Sequence, residues 1–228
     1  MAQLALALDV LSRERALGLA RELAGLVPWC KVGLALFTLV GPALPEALKN
    51  MGYKIFLDLK FYDIPRTVGQ AVRAAAACGA DMLTVHCQGG ERMCLAAVEN
   101  LAGMERRPLI FGVTALTSFG QGEMPGVAAD PEDFALSLAG RAEAWGLDGV
   151  VCSGFEVAHV KRNCPDLLCL VPGIRPAGLV EDDQRRVVTP AAAVKDGADF
   201  LVAGRPIIES PSPRSAAEKI LQEMSQQK

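Results

Sequence analysis

The chain alternates short apolar runs with longer amphipathic stretches from end to end, without a polar, low-complexity or linker segment. Eight such pairs can be counted. The predicted strands are Leu4–Leu8, Cys30–Leu34, Lys54–Leu59, Met82–His86, Leu109–Thr114, Gly149–Cys152, Leu167–Val171 and Phe200–Ala203. Several are runs of Val, Ile and Leu, as parallel strands covered on both faces require. Helical patterns fill the gaps. One opens at Ser12, with Glu14 and Arg15 in its first turn and apolar positions at Leu17, Leu19, Ala20, Leu23, Ala24 and Val27. Another starts with Pro65 at its first position, where a missing N–H costs nothing, and runs through Val68, Val72, Ala75 and Ala76 until Gly79 closes it.

Alternating βα units can build an open doubly wound sheet or a closed barrel. No Gly-x-Gly-x-x-Gly turn follows the first strand, and eight near-equal units favour an α/β fold in which a single (β/α)8 TIM barrel spans residues 1–228 as one domain. At 228 residues, 51% hydrophobic and 21% charged, the chain can bury a full core and is short for two domains. Its net charge of -3, with scattered lysines and arginines, offers no footprint for nucleic acid or an anionic membrane and points to a small soluble partner. The seven cysteines show no zinc-ligand spacing, so reduced, mostly buried thiols and no metal site are expected. The N-terminus lacks a basic region and reaches Asp9 after a few apolar residues, which predicts neither a signal peptide nor a membrane span and a cytoplasmic location.

In such a barrel the chemistry gathers at the C-terminal strand ends, where the βα loops converge. The polar residues predicted there are Asp9, Lys31, Asp58, Lys60, His86, Thr117, Arg175 and Arg205. The third strand runs into Phe56-Leu57-Asp58-Leu59-Lys60-Phe61-Tyr62-Asp63-Ile64-Pro65, and strand alternation puts Asp58 and Lys60 on one face, with Leu57 and Leu59 toward the helices. An acid and a base then lie inside the barrel, where unpaired charge is costly. A salt bridge that merely closes the barrel is the bland alternative. Asp63 and Lys31 add charge to the same predicted mouth and favour a reactive site.

Residues 173–186 form a long polar stretch after the seventh strand, and loops of that length are usually functional or disordered. Barrels often bind phosphate with the loops after strands seven and eight, where Gly204 and Arg205 offer a backbone amide and a guanidinium. A phosphate gripper is expected there, with an ordinary solvated loop as the alternative. His86 and His159 have no partner spacing for metal or triad chemistry and read as structural. Cys87, Cys152 and Ser153 lack an adjacent base and receive no role. Trp29 and Trp145 precede predicted strands, which suggests packing at the lower barrel rim.

The spacing D-x-K-x-x-D-I-P at residues 58–65 resembles the signature of the orotidine monophosphate decarboxylase family. The resemblance extends to Ala7-Leu8-Asp9, Lys31-Val32-Gly33, Val113-Thr114-Ala115-Leu116-Thr117-Ser118, Val171-Pro172-Gly173-Ile174-Arg175-Pro176 and Gly204-Arg205-Pro206-Ile207, in family order over almost the whole chain. It implies conversion of orotidine to uridine monophosphate in de novo pyrimidine biosynthesis, without a cofactor. It further implies that Lys60 protonates carbon six of the pyrimidine, within a charged network completed by Lys31, Asp58 and Asp63. Asp9 and Lys31 would hold ribose hydroxyls, and Thr117 the pyrimidine edge. Gln184, Gly204 and Arg205 would contact the phosphate and Arg175 would lie at the same ligand site, with Ile64, Thr67 and Pro172 as further substrate contacts. A homodimer is implied, with Asp63 reaching into the partner's site.

Elementary chemistry agrees with that assignment: a carbanion on a ring carbon without a conjugated sink must be stabilised electrostatically, and a fixed ammonium does this while also donating a proton. Two alternatives stand beside it. Related metal-dependent sugar-phosphate decarboxylases and aldolases share the D-x-K-x-x-D spacing, but carry a magnesium-ligating glutamate where this chain has Lys31, whose ammonium would repel the cation. A silent barrel that only binds a phosphorylated ligand would have little reason to keep two lysines and several aspartates together.

Overall fold

Each predicted strand needs apolar side chains on both faces, and each following helix needs one apolar stripe to cover it. The computed structural model, which describes residues 2–176 and 187–226, meets that demand with eight parallel strands closed into a barrel in sequence order. The first half runs β1 (Gln3–Ala7), α1 (Arg13–Leu23), β2 (Trp29–Gly33), α2 (Leu34–Val40), α3 (Ala43–Lys49), β3 (Lys54–Phe61), α4 (Pro65–Ala77) and β4 (Met82–His86). The second half runs α5 (Glu91–Glu99), β5 (Leu109–Val113), α6 (Pro131–Ala144), β6 (Gly149–Val151), α7 (Val157–Asn163), β7 (Leu168–Val171), α8 (Pro190–Lys195), β8 (Phe200–Ala203), α9 (Arg205–Ile208) and α10 (Pro213–Ser225). All eight predicted strands are present, β1 and β2 beginning one residue earlier than predicted and β3 ending two residues later.

The helix starts follow local chemistry. The Ser12 side chain caps α1 by accepting the Arg15 N–H at 3.2 Å, and Pro65 opens α4 as its first residue. Gly79, at φ 86°, takes the left-handed position that ends this helix.

Alternate residues of each strand supply two cores. Leu4, Leu6, Ile55, Leu57, Leu83 and Val85 face outward into the layer shared with the helices. Trp29, Phe56, Phe111 and Phe200 face inward and plug the lower barrel, Phe200 meeting Trp29 and Phe111 edge-on at centroid separations of 5.5 and 5.7 Å. Trp29 therefore lies inside the barrel as the first residue of β2, its indole N–H donated to Gln3 at 2.7 Å, rather than on the rim. A Cβ at Gly149 would collide with the Phe111 ring and the Leu168 carbonyl, so glycine makes room for that ring.

The bottom of the barrel carries one device three times. In Gly79-Ala80-Asp81, Gly146-Leu147-Asp148 and Gly197-Ala198-Asp199, a glycine at positive φ (86°, 75° and 102°) turns the chain toward β4, β6 or β8. Each aspartate accepts the N–H of a residue starting the preceding strand: Ile55 at 2.7 Å, Ile110 at 2.8 Å and Cys169 at 2.8 Å. Each is neutralised by one cation, Lys49, Arg107 or Lys161. Asp148, held by both Arg107 nitrogens at 2.7 Å, is the most fully paired. Asp148→Ala leaves the Ile110 N–H without its acceptor and is expected to lower stability by about 2 kcal/mol, or roughly 4–8 °C in Tm. Thermal unfolding checks this, with a change below about 1 °C contradicting it.

Candidate functional site

The C-terminal end of the barrel is open among the described residues. There a cavity of about 520 Å³ is floored by apolar side chains of the barrel interior, including Ala7, Val113, Val151, Leu170 and Val202. An apolar floor lowers the local dielectric and strengthens the charge interactions above it. The charges stand on one wall. Lys31 of β2 reaches Asp9 at 2.8 Å and Asp58 at 3.6 Å, and Lys60 reaches Asp58 at 2.7 Å. Asp9, Lys31, Asp58 and Lys60 thus form a row of alternating sign across the ends of three neighbouring strands.

The row is ordered by burial. Side-chain exposure is 10% at Lys31 and 12% at Asp58, against 30% at Lys60 and 55% at Asp9. Burial pushes the Asp58 carboxyl up, but the Lys31 and Lys60 ammonium groups, with hydrogen bonds from Lys60 and Thr84, outweigh it and hold Asp58 below the ordinary carboxylate range. It is therefore ionised at neutral pH. Next to the row, burial and then the Lys60 charge, opposed by Asp58, lower the His86 pKa and keep its ring neutral. His86 lies tilted against Tyr62 at 5.6 Å, with Nδ1 buried and without a hydrogen-bond partner among the described residues.

Asp58 and Lys60 both point inward because β3 alternates, but its path is not regular. Against β4, Leu57 pairs with Leu83 and Phe61 with Val85, so β3 advances four residues while β4 advances two. Lys60 lies in this bulge at φ 48°, the one non-glycine at positive φ among the described residues. Such a backbone costs of the order of 1–3 kcal/mol and persists where its surroundings enforce it.

The cavity gathers most of the residues singled out from sequence. Asp9, Lys31, Asp58 and Lys60 share its lining with Thr117, Pro172, Arg175, Gly204 and Arg205. Gly204 passes close to β1, since a Cβ there would stand 3.2 Å from that of Ala7. Ile174 and Val188 form a bridge that ties the stems of the loop after β7, and the Arg175 N–H donates to the Val188 carbonyl at 3.0 Å. Gln184 falls within 177–186, outside the described residues.

Three positions are not brought into the cavity. Asp63, Ile64 and Thr67 are exposed where the chain leaves β3 and turns into α4, and the Asp63 carboxylate accepts the Ile64 N–H at 2.7 Å. The shared mouth expected for Asp63 is therefore not formed within this chain. Thr84 was not singled out from sequence, yet its hydroxyl touches both Lys60 and Asp58. The available signal was a lone polar residue at an inward position of a strand next to β3.

Among the described residues, no group of three or more His, Cys, Asp or Glu side chains is placed to hold a metal ion, and no helix is long and apolar enough to cross a membrane.

Residues 2–220 match the model of the orotidine 5'-phosphate decarboxylase / HUMPS family. The orotidine 5'-phosphate decarboxylase of Nitratidesulfovibrio vulgaris strain DP4 is 52% identical, over 99% of this chain and 98% of that relative. The one from Pseudomonas aeruginosa strain LESB58 is 45% identical, over 96% and 95%. Among solved structures, orotidine 5'-phosphate decarboxylase from Lactobacillus acidophilus superposes with a TM-score of 0.86 at 35% identity, covering 99% of this chain and 100% of that one. With a full-length relative sharing half its residues and a family model matching nearly its whole length, the chain belongs to the orotidine 5'-phosphate decarboxylase / HUMPS family.

Proposed function

We propose that the chain catalyses decarboxylation of orotidine 5'-monophosphate to uridine 5'-monophosphate in pyrimidine biosynthesis, with Lys60 as the proton donor. The observation that carries this reading is the alternating row of Asp9, Lys31, Asp58 and Lys60, with Lys31 and Asp58 buried at its centre. The bond from carbon six to the carboxylate breaks, carbon dioxide leaves, and the electron pair stays on the ring carbon. The Lys60 ammonium stabilises that charge as it forms and gives it a proton, ending as an amine that solvent reprotonates. Asp58 faces the substrate carboxylate, and their repulsion disappears as carbon dioxide departs. Asp9 and Lys31 hold ribose hydroxyls, while Thr117 and Pro172 meet the pyrimidine. Gln184, Gly204 and Arg205 take the phosphate, and Arg175 lies at the same ligand site.

The catalytic unit in this proposal is one barrel domain over residues 1–228, acting as a homodimer in the cytoplasm. Asp63, Ile64 and Thr67 would enter the partner's site, which suits their exposure and that of Leu11 and Leu34. Six of the seven cysteines are buried, and reduced thiols suit the reducing compartment of this proposal.

Loss of absorbance as orotidine monophosphate is consumed, followed with and without EDTA, tests the reading. Turnover unchanged by EDTA is expected. No turnover by folded protein would support a barrel that only binds, and turnover abolished by EDTA would favour the metal-dependent branch. Lys31 speaks against that branch, because its ammonium lies between Asp9 and Asp58 where a cation would need a carboxylate.

Arg205→Ala is expected to lower kcat/KM roughly 10²-fold, the loss of charge-assisted hydrogen bonds to phosphate. The penalty should shrink for orotidine, which lacks the phosphate. An equal penalty on both substrates would move Arg205 away from the phosphate.

A further inference from the structure

We propose that Thr84 is a positioning residue of this reaction, whose hydroxyl locks the Lys60 backbone in its left-handed bend and aims the Asp58 carboxylate. The inference rests on the decarboxylase reading and deepens it.

Thr84 lies in the middle of β4, completely buried, and does not line the cavity, so any effect on substrate passes through its neighbours. Its Oγ1 is 2.9 Å from the Lys60 backbone nitrogen and 3.0 Å from Asp58 Oδ1. Chemistry fixes the direction of both bonds. The Lys60 N–H can only donate, so the hydroxyl accepts from it and sends its own proton to Asp58. One hydroxyl on the neighbouring strand therefore reads the backbone of one charged residue and the side chain of the other.

Both contacts fall where the strand is least able to hold itself. The Lys60 N–H, in the bulge at φ 48°, goes to this side chain in place of the ladder. At Asp58, Thr84 takes Oδ1 while Lys60, at 2.7 Å, and Lys31, at 3.6 Å, share Oδ2. Each carboxylate oxygen thus has its own donor, which stops rotation about the terminal bond. A valine at this position would fill the same space but leave a buried N–H without an acceptor and a buried carboxylate oxygen without a donor. The Lys60 ammonium would then lose the two constraints that aim it, and small misplacement of a reacting group is costly.

Thr84→Val and Thr84→Ser are compared with the unaltered chain. Thr84→Val is expected to lower kcat by roughly ten- to hundredfold, the value of a hydrogen bond to a buried charged group. KM should stay within about threefold, because Thr84 does not touch substrate, and Thr84→Ser should restore kcat to within about threefold. The groups facing Asp58 are Lys31 on β2, Lys60 on its own strand and His86 on β4, with Asp9 beyond Lys31. None is altered by the substitution, so loss of the donor should move the Asp58 titration upward, and with it the acid limb of the kcat profile. Carboxyl carbon NMR of the unliganded protein reads the same shift without turnover.

Wild-type kcat in Thr84→Val, or an equal loss in Thr84→Ser, would overturn the proposal. If Thr84→Val does not fold, Thr84→Cys decides, since its thiol is a weak donor. About a tenfold fall is then expected, and an unchanged rate overturns the assignment. A wild-type chain without turnover would defeat the decarboxylase reading, while the Asp58 titration would still decide the role of Thr84.

Discussion

Lys60→Ala is expected to lower kcat by at least about 10⁴-fold, since general-acid catalysis contributes roughly 10²–10⁴ and a fixed electrostatic donor roughly 10²–10³. Both contributions come from one ammonium. The neighbouring Lys31 ammonium is already engaged by Asp9 at 2.8 Å and Asp58 at 3.6 Å. Fold and nucleotide binding should survive, because Lys60 is half-buried at the cavity wall and Asp58 keeps Lys31 and Thr84 as partners. Single-turnover kinetics, thermal unfolding and calorimetry with uridine monophosphate check the three parts separately. Activity within tenfold of the unaltered chain would remove Lys60 from the role proposed for it.

Asp58→Ala should separate kcat from affinity. Two like charges about 4 Å apart repel by roughly 4 kcal/mol at an effective dielectric near 20, equivalent to roughly 10³ in rate if that repulsion is relieved in the transition state. With the carboxylate gone, kcat is expected to fall about 10³-fold while orotidine monophosphate binds no more weakly, and its advantage over uridine monophosphate increases. Equal losses in kcat and kcat/KM without that gain would assign Asp58 to holding Lys60 alone.

The same substitution carries a stability signature. It leaves the Lys31 and Lys60 ammonium groups facing one another without a counter-charge, and breaking such a buried pair costs about 3 kcal/mol, less where solvent reaches Lys60. The folded state holds the Asp58 carboxyl below its ordinary range, so its contribution is fully present above that range and is lost as pH falls through it. The difference in Tm between Asp58→Ala and the unaltered chain should therefore be largest near neutral pH and shrink on acidification. A difference that grows in acid would contradict the charge assignment.

Much of this site can be read along the chain because a strand's side chains alternate. Asp58 and Lys60, two apart, had to share a face, and hydrophobic Leu57 and Leu59 identified the other face as the one toward the helices. Asp9, Arg175 and Arg205 follow strand ends, which a closed barrel turns toward one mouth. What escapes this reading depends on neighbouring strands. The left-handed backbone at Lys60 arises from a bulge visible only in the pairing of β3 with β4. Thr84 lies 24 residues from Lys60 and 26 from Asp58, and only that pairing brings it to both.

Asp63 marks a different limit. Its spacing from Lys60 suggested a common mouth, but past the bulge the chain turns outward to start α4, and alternation no longer applies. Trp29 precedes the apolar run that marks β2 along the chain, which points to the rim, but the strand starts one residue earlier. The true start points its ring inward against Phe200. The repeated Gly-x-Asp turns are a pattern visible along the chain, but only the paired strand starts reveal their use.

The most direct measurement is a crystal structure with a uridine monophosphate analogue that carries an anionic group at carbon six. The Lys60 Nζ is expected within about 3.2 Å of that group, with the phosphate at Arg205 and the ribose at Asp9 and Lys31. A nucleotide bound with its carbon six remote from Lys60, or outside the barrel mouth, would contradict the assignment of Lys60 as the proton donor.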